Sequence, residues 1–499
     1  MLYPLSYEGE NVSGILHKEN DMSNLNILYL SAEVAPFAKS GGLGDIGGSL
    51  PKALEAMGND VRVVMPAYQA IENGYEGVVP LSGTLQVPVR GGTVQAGVFQ
   101  GHLPDSNVPV YFIAHKALFN RPKLYGYDDD PYRFAFFSRA AMELAVALDW
   151  KPDLIHAHDW HTAPAITWLA TAGQHHPHFR GTPSVFTIHN LAHQGRTTWD
   201  IFDYLGIQTH ALTEEAYGEV NFMARGIYHA TMVNTVSPTY AHEIMGQTYG
   251  AGLDGLLRHR AYDVHGILNG LDYDIWNPET DPRLVKTYSA GAMEDRIVNK
   301  RALQKRSGLP QRDDVPLIAL ISRLDWQKGL DITGEVIHRL MNGYAGEAQF
   351  VVLGTGADEY EQMFDRMAQY HSKKMTAYLD YNAGFAPQIY AGSDMFIMPS
   401  RFEPCGLGQL IAMRYGSVPI VRATGGLVDT VRDGVTGFSF HEYNSEAFWH
   451  ALQRAMYTYN TDDATWKEIQ HNGMTADFSW KQSGQGYAQL YEWALARAR

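Results

Sequence analysis

The chain has 499 residues, 45% of them apolar and 19% charged, which is enough to bury the cores of about two to four domains. Its formal net charge of −15 argues against nucleic acid and anionic membranes as partners, because both repel negative charge. A single cysteine excludes a disulfide framework and is typical of a reducing compartment. We therefore expect a cytoplasmic protein with a small or neutral ligand.

The first half of the chain alternates short apolar runs with longer helical patterns, which predicts βα units and a parallel sheet. A stretch rich in Gly, Val and Pro over residues 74–114 predicts additional strands, antiparallel to their neighbours, inserted in this half. The predicted strands are residues 26–30, 61–65, 154–157 and 184–188, and the predicted helices are residues 43–57 and a segment from about residue 163.

A second βα series follows in the other half, and residues 266–282, rich in Asn, Gly, Asp and Pro, predict a hinge between the two. Its predicted strands are residues 317–321, 349–353, 394–398 and 418–421, with a helix from about residue 330. We therefore expect two α/β domains and two terminal segments. These are a disordered leader at 1–21, domains at 22–268 and 269–478, and a helix at 479–499 that packs back onto the first domain.

Two glycine-flanked turns each follow a predicted strand and precede a predicted helix. They are residues 39–45, Lys-Ser-Gly-Gly-Leu-Gly-Asp, and residues 403–408, Glu-Pro-Cys-Gly-Leu-Gly. Such turns present bare backbone N–H groups at a helix N-terminus, where anions bind. Lys39 lacks the Gly-Lys-Ser/Thr pairing of a P-loop. It is interpreted as a cation beside a turn whose glycines fit a diphosphate. The alternative is a solvated lysine beside a glycine-rich turn. Two half-sites predict a cleft between two domains.

Three further side chains predict charge-based chemistry in the second half. Arg323 and Lys328 follow the strand at 317–321, where open α/β sheets bind ligands, and could clamp a leaving phosphate. Glu403 lies beside a helix start that favours its ionised form, which suits stabilising positive charge at a sugar anomeric carbon. Surface charges and an N-cap carboxylate are the structural alternatives. Cys405 is interpreted as a small filler residue and not as a nucleophile.

Two patterns raise the alternative of a metal site. His156, His158 and His161 could bind zinc, but His156 and His158 alternate on a strand with Asp159 and Trp160 at its end, which favours a sugar-binding rim. The acids Asp272 and Asp274 match the short carboxylate pair of manganese-dependent sugar transferases, yet they lie in the predicted hinge. The lysines and arginine named above already supply positive charge, so we predict neither a metal nor a cofactor.

Seven motifs of this chain follow the order found in one enzyme family. They are residues 31–43, 156–161, 186–191, 235–238, 266–272, 399–407 and 424–430. With these motifs the chain resembles, from about residue 25 to its C-terminus, the bacterial and plant-type glycogen and starch synthases. Members are retaining glucosyltransferases of the GT-B fold, so the resemblance implies an α/β protein with two Rossmann-like domains whose parallel sheets face each other across a deep cleft.

The resemblance also implies roles for individual residues. Glu403 matches the carboxylate essential for transfer, and Lys39, Arg323, Lys328 and His189 complete the implied catalytic set. Tyr381 matches an aromatic residue that stacks on adenine, and His189 a residue that holds the donor glucose. The implied donor site consists of Lys39, Gly41, Gly42, Arg323, Lys328, Tyr381, Cys405, Gly406, Leu407 and Thr424. The implied sugar and acceptor side consists of Glu33, Tyr125, Asp159, Trp160 and Asn269.

The implied reaction is transfer of glucose from ADP-glucose to the 4-hydroxyl at the non-reducing end of an α-1,4-glucan, with retention and release of ADP. Front-face attack and a covalent double displacement both remain open, with front-face attack favoured because Glu403 is the sole obvious nucleophile. Preference for ADP-glucose over UDP-glucose rests on the resemblance alone. The partners implied are therefore a nucleotide sugar and glycogen or starch, and the sequence leaves a homo-oligomer open.

Two rival functions and one departure accompany this interpretation. A related transferase of the same fold could use a small acceptor, and a catalytically inactive scaffold could bind glucan. A pyridoxal-dependent phosphorylase would need a much longer chain. Gly408 stands where the family usually has Thr, which removes a hydroxyl near the donor phosphate and predicts weaker donor binding at most.

Overall fold

A computed structural model of the chain describes residues 24–498, so the predicted leader at 1–21 lies outside the described residues. The strands within this part of the chain are β1 Asn26–Leu30, β2 Asp60–Pro66, β3 Val79–Pro80, β4 Leu85–Val89, β5 Gly92–His102, β6 Pro109–Ala114, β7 Leu154–His158, β8 Ser184–Ile188, β9 Arg196–Thr198, β10 Glu219–Asn221, β11 Met232–Thr235, β12 Val264–Gly266, β13 Leu317–Ile321, β14 Gln349–Leu353, β15 Met375–Tyr378, β16 Met395–Met398, β17 Val418–Arg422 and β18 Phe438–Phe440.

The helices connect these strands and cover both sheets. They are α1 Gly42–Ala56, α2 Gln69–Glu72, α3 Lys116–Phe119, α4 Asp130–Ala147, α5 Ala163–Ala170, α6 Asp200–Leu205, α7 Phe222–His229, α8 Pro238–Glu243, α9 Asp254–His259, α10 Arg296–Arg306, α11 Leu330–Met341, α12 Asp358–Tyr370, α13 Ala386–Gly392, α14 Gly408–Arg414, α15 Gly426–Thr430, α16 Ser445–Thr461, α17 Asp463–Thr475 and α18 Trp480–Ala498. None of the helices in residues 24–498 is long and apolar enough to cross a membrane.

The strands form two main sheets with a Rossmann-like order. The first runs β12-β11-β8-β7-β1-β2-β6-β5-β3, with β4 also paired to β5, and the second runs β15-β14-β13-β16-β17-β18. The second sheet is parallel throughout, and the first is parallel from β12 to β6. In the first sheet β5 is antiparallel to β3, β4 and β6, which confirms the antiparallel strands predicted within residues 74–114.

Continuous burial explains why these strands were recognisable. Every residue of β7, β8 and β14 is buried, as expected for parallel strands covered by helices on both faces. Such strands are apolar runs without alternation, bounded by turn residues. The strands β1, β8, β13 and β14 have the bounds that the sequence predicts. The α/β fold with two mainly parallel sheets is confirmed.

The two halves are joined by two neighbouring chain segments. The backbone N–H of Leu271 donates to the carbonyl oxygen of Phe478 at 2.7 Å, where the chain enters the second half and where it returns. Asp272 accepts a hydrogen bond from Lys52 of α1 at 2.7 Å, so this carboxylate ties the joining segment to the first half.

Helix α18 packs on the core of the first sheet. Its residues Tyr487, Leu490, Tyr491 and Ala494 are buried in the same cluster as β1, β2 and β7. The Tyr491 hydroxyl lies 2.8 Å from His156 Nδ1 on β7. The last helix therefore supplies part of the core of the first half.

A buried ion pair ties α7 to the loop before β10. Arg225 and Glu215 have side chains 0% and 1% exposed, and Arg225 Nε lies 2.8 Å from Glu215 Oε1. Because removal of one partner leaves an uncompensated buried charge, we expect Glu215→Ala to lower the free energy of unfolding by about 3–5 kcal/mol. Chemical denaturation measures this loss.

The matched control is an exposed pair on α17. Lys467 and Asp463 have side chains 70% and 76% exposed, so Asp463→Ala should cost less than about 1 kcal/mol. Equal stability of the two variants would show that the Arg225 charge finds another partner.

Candidate active site

The residues predicted to act together follow the carboxyl ends of parallel strands in both sheets. In the first sheet, Glu33 follows β1, Asp159 follows β7 and His189 follows β8. In the second sheet, Arg323 follows β13, Glu403 follows β16 and Thr424 follows β17. Open α/β sheets bind ligands at these strand ends. The candidate site is therefore the region where the strand ends of the two sheets meet.

Backbone N–H groups of the turn at residues 39–45 are hydrogen-bonded to an acidic side chain of the same protein. The backbone N–H and hydroxyl of Ser40 both donate to the Glu33 carboxylate, the hydroxyl at 2.6 Å, and Gly41 N–H donates at 3.3 Å. The Tyr125 hydroxyl donates to the same carboxylate at 2.9 Å. The prediction of bare N–H groups is therefore wrong for Ser40 and Gly41, because β1 delivers Glu33 directly to the turn. The sequence separation alone does not reveal this contact.

Glycines on α1 allow that close approach. A Cβ on Gly47 would overlap the carbonyl oxygen of Glu33, and a Cβ on Gly48 would overlap that of Ala35. Lys39 lies beside the turn, and its Nζ lies 2.6 Å from Oδ1 of Asp45, a residue of α1. Burial raises the pKa of Asp45, and the nearby lysine opposes that shift. In this structure the ammonium group of Lys39 thus has an acidic partner.

Lys328 and Glu403 meet in the second half. Lys328 Nζ lies 2.7 Å from Glu403 Oε2, and the Ser400 hydroxyl donates to the same oxygen at 2.9 Å. Glu403 is buried, which strengthens this charge-assisted contact. Arg323 does not join them: its side chain is half exposed and lies 3.4 Å from Asp325. The structure brings together two of the three charged residues predicted in this half.

Three glycines shape the loop that carries Glu403. Gly329 and Gly425 have φ angles of +71° and +48°, and a Cβ on either would overlap the carbonyl oxygen of Pro399 or Glu403. Gly426 N–H donates to the Glu403 carbonyl at 3.1 Å. Only residues without a Cβ permit this packing, so the position of Glu403 depends on its neighbours in α15 and before α11.

We expect Gly425→Ala to reduce turnover strongly. Its methyl group would displace the Glu403 backbone, and a displacement of catalytic groups by about 1 Å can cost about 100-fold in rate. Steady-state kinetics of the purified variant measure kcat. Gly434→Ala is the matched control, because Gly434 has a φ of +71° but nothing within 4 Å of an added Cβ. If both variants lose turnover equally, backbone strain and not the Glu403 contact is responsible.

The histidines of β7 and the next strand end form a buried chain of contacts. His156 Nε2 lies 2.6 Å from the Thr187 hydroxyl, and His158 Nδ1 lies 2.9 Å from His189 Nε2. Burial lowers the pKa of all three histidines, that of His189 to about 3, so all are neutral at physiological pH. Protein groups thus occupy both nitrogens of His156. Within residues 24–498 no three His, Cys, Asp or Glu side chains are grouped as metal ligands.

Asp159 is held in an unusual position at the end of β7. Its φ is +57°, and its Oδ1 accepts the His189 backbone N–H at 2.7 Å. Burial raises the pKa of this carboxyl to about 7. Trp160 is buried, with His161 stacked on its ring at 4.0 Å. The Tyr125 hydroxyl bonds to Glu33, and the Tyr125 ring lies 4.7 Å from that of His161, so four of the five residues predicted for the sugar side, Glu33, Tyr125, Asp159 and Trp160, lie in one cluster.

Three further residues of the predicted donor site, and Asn269 of the predicted acceptor side, differ in their surroundings. Burial raises the pKa of the Cys405 thiol to about 12, so it remains a neutral thiol, as the filler interpretation requires. Asn269 Oδ1 is enclosed without a partner within the described residues. Tyr381 is 67% exposed. The Thr424 hydroxyl donates to Glu243 of the first half at 3.0 Å.

The second turn combines a left-handed backbone conformation with close packing. Gly406 has a φ of +74°, and Leu407, the N-cap of α14, packs against the cores of both halves. A Cβ on Gly408 would lie 3.1 Å from Phe396 and 3.3 Å from Met398. These two side chains fill the space beside Gly408, so the absence of a larger residue there matches the local packing.

Sequence reasoning missed a set of contacts between the two halves. The Ser237 hydroxyl donates to the Pro404 carbonyl at 2.6 Å, and the Thr239 hydroxyl donates to Asp429 at 2.7 Å. Glu243 accepts hydrogen bonds from Thr424 and from Gly425 N–H, both at 3.0 Å. Ser-Pro before α8 signals a helix start, but its partners lie 167 or more residues away along the chain. Each half thus holds the start of a helix in the other.

Comparisons with known proteins agree with this architecture. Residues 26–259 match the starch synthase catalytic domain family, and residues 302–469 match the glycosyl transferases group 1 family. The glycogen synthase of Geotalea daltonii is 43% identical and that of Moorella thermoacetica 44% identical, each aligned over 95% of this chain and over 99% and 98% of the relative.

Two solved structures are also similar. The catalytic domain of starch synthase IV from Arabidopsis thaliana, bound to ADP and acarbose, has a TM-score of 0.89 and 35% identity, and the match covers 95% of this chain and all of that one. Sucrose-phosphate synthase from Thermosynechococcus elongatus has a TM-score of 0.60 at 17% identity over 95% of this chain and 99% of that one, a likeness of fold alone.

Proposed function

This chain belongs to the glycogen and starch synthase family and is a glucosyltransferase of glycogen or starch synthesis, and on that premise we propose its donor, acceptor and site residues. The donor is ADP-glucose, and the acceptor is the non-reducing 4-hydroxyl of an α-1,4-glucan. The product forms with retention, and ADP leaves. The structural neighbour that binds ADP and acarbose supports a nucleotide diphosphate and a glucose oligomer as the two ligand classes.

The contact between Lys328 and Glu403 carries this proposal. A cation and a carboxylate 2.7 Å apart at the carboxyl ends of a parallel sheet provide opposite charges beside a reacting bond. The ammonium group stabilises the departing diphosphate, while the carboxylate stabilises positive charge that develops on the sugar. Lys39 and Arg323 add positive charge from either side of the cleft. Retention follows from front-face attack, in which the leaving phosphate accepts the proton of the acceptor hydroxyl.

The other site residues have supporting roles in this proposal. The turn at Gly41 and Gly42 and the backbone of residues 405–407 contact the donor, with Thr424 beside them, and Tyr381 stacks on the adenine. His189 holds the donor glucose. The acceptor contacts Glu33, Tyr125, Asp159, Trp160 and Asn269.

The proposed domains are residues 22–268 and 269–478, with residues 479–499 returning to the first. Movement of one domain relative to the other would exclude water from the donor. A cytoplasmic location is supported by the single cysteine.

One assay series tests the proposal. Purified protein is incubated with ADP-glucose and glycogen, and release of ADP and incorporation of glucose are measured together. We expect both at equal rates, a lower kcat/KM with UDP-glucose, and no transfer to free monosaccharides. Transfer to a small acceptor instead would identify a related transferase of the same fold. Glucan binding without turnover would identify an inactive scaffold.

A further inference from the structure

One enclosed histidine contacts the residue proposed to hold the donor glucose. His158 is completely buried in β7, with the ring of Tyr29 4.2 Å from its own. Its Nδ1 lies 2.9 Å from His189 Nε2, and its Nε2 is enclosed without a hydrogen-bond partner within the described residues. His189 Nδ1 makes no hydrogen bond within residues 24–498, but it is not enclosed. The ring of His189 thus has one nitrogen towards His158 and one nitrogen open.

The positions of the protons follow from the available partners. Both rings are neutral, because burial lowers their pKa values, so each carries one N–H. If His158 carried its proton on Nε2, that N–H would be a buried donor without an acceptor, whereas a deprotonated Nε2 is an unpaired acceptor, which folded proteins tolerate more often. The proton therefore belongs on His158 Nδ1, which donates to His189 Nε2. His189 must then carry its own proton on Nδ1.

The neighbouring histidine has a different arrangement. The Thr187 hydroxyl donates its single proton to Asn234 Oδ1 at 2.5 Å, so it accepts from His156 Nε2–H. His156 Nδ1 then accepts from the Tyr491 hydroxyl of α18 at 2.8 Å. The two histidines of β7 therefore carry their protons on different nitrogens, each fixed by its own partner.

We propose that His158 is a positioning residue that fixes His189 as its Nδ1–H tautomer, so that His189 donates a hydrogen bond to one oxygen of the donor sugar. The proposal rests on the proposed function, in which His189 contacts that sugar. A fixed N–H donor requires an acceptor oxygen at one position of the sugar, so an analogue that lacks this oxygen leaves the N–H unpaired. His158 thereby contributes to donor selection without touching the donor.

The first test observes the tautomer directly and needs no substrate. Multiple-bond ¹H–¹⁵N correlation spectra of histidine-labelled full-length protein report which ring nitrogen carries the proton, and the His189 signals are those absent from His189→Ala. We expect Nδ1–H in the wild type and a mixture of tautomers in His158→Leu. Observation of Nε2–H in the wild type, or an unchanged tautomer in His158→Leu, would overturn the proposal.

A conservative variant separates positioning from packing. In His158→Asn the side-chain amide nitrogen takes the place of Nδ1 and keeps the donor, so the Nδ1–H tautomer of His189 should persist. His156→Leu is the matched control for loss of a buried ring on the same strand. It should lower the thermal midpoint as His158→Leu does, yet leave His189 as Nδ1–H. A tautomer that changes equally in both leucine variants would indicate general loosening and contradict the assignment.

The second test measures donor selection with ADP-glucose analogues that each lack one glucose hydroxyl. The wild type should discriminate against one analogue more than the others, and His158→Leu should lose about tenfold in kcat/KM for ADP-glucose together with that discrimination. His158→Asn should retain both. Full discrimination in His158→Leu would overturn the role of His158. No effect of His189→Ala would instead contradict the proposed function, while the spectra would still decide the tautomer.

Discussion

Glu403→Gln is expected to lose turnover on the order of 1,000-fold while ADP still binds. Glutamine preserves the shape of the side chain but removes the negative charge beside Lys328 and the Ser400 hydroxyl. Positive charge that develops on the sugar then lacks its stabilising carboxylate. Binding of ADP does not require that carboxylate, because the freed Lys328 ammonium still faces the diphosphate. Initial rates of ADP release and calorimetric titration with ADP measure the two effects.

A matched control and a clear contrary result accompany this variant. Glu361 accepts hydrogen bonds from Thr355 and Gly356 N–H on an exposed part of the same half, so Glu361→Gln should leave turnover unchanged. Turnover of Glu403→Gln near that of the wild type would remove Glu403 from the chemistry. Joint loss of turnover and ADP binding would assign it to donor binding.

Lys328→Ala should reduce kcat by about 100- to 1,000-fold, the effect of removing one preorganised charge from a leaving group. The substitution also leaves Glu403 without the cation 2.7 Å away, so two consequences arise from one change. Steady-state kinetics with ADP-glucose and glycogen measure the loss. Arg401→Ala is the control, because Arg401 pairs with Asp331 on the surface at 2.7 Å. The Arg401→Ala variant should retain turnover.

The double variant tests whether the two residues act as a unit. Groups in direct contact give non-additive effects, so Lys328→Ala combined with Glu403→Gln should be little worse than the more damaging single variant. Multiplication of the two single losses would show that the lysine and the carboxylate act on the donor independently.

The sequence predicts the sheets well because parallel strands are buried on both faces. In β8 and β14 this burial produces apolar runs whose ends are clear. The strand ends then place Lys328 and Glu403 near one another. Side-chain partners are harder to predict, since they depend on distances across the fold. Lys39 meets Asp45, and Glu33 takes the N–H groups of Ser40 and Gly41, although spacing suggested a free cation and free amides.

Contacts between the two halves are even harder to predict from the sequence than side-chain partners within one half. Glu243 and Asp429 each reach the helix start of the opposite half, and neither stands in a motif that specifies a distant partner. Their geometry depends on how two independently recognisable sheets are oriented. Local sequence patterns indicate each sheet separately. The orientation of one sheet relative to the other results from the complete interface between the two halves.

Packing of α18 on the first sheet has a consequence for synthesis of the chain. Domains generally fold as units while the ribosome still adds residues, N-terminal ones first. Here Tyr487, Leu490, Tyr491 and Ala494 complete the first core, yet they are made after the whole second half. An incomplete core with exposed apolar surface must therefore persist while the second half emerges. The nascent chain should therefore be prone to aggregate until α18 is made. Its need for chaperones should be greater than the stability of the finished enzyme would suggest.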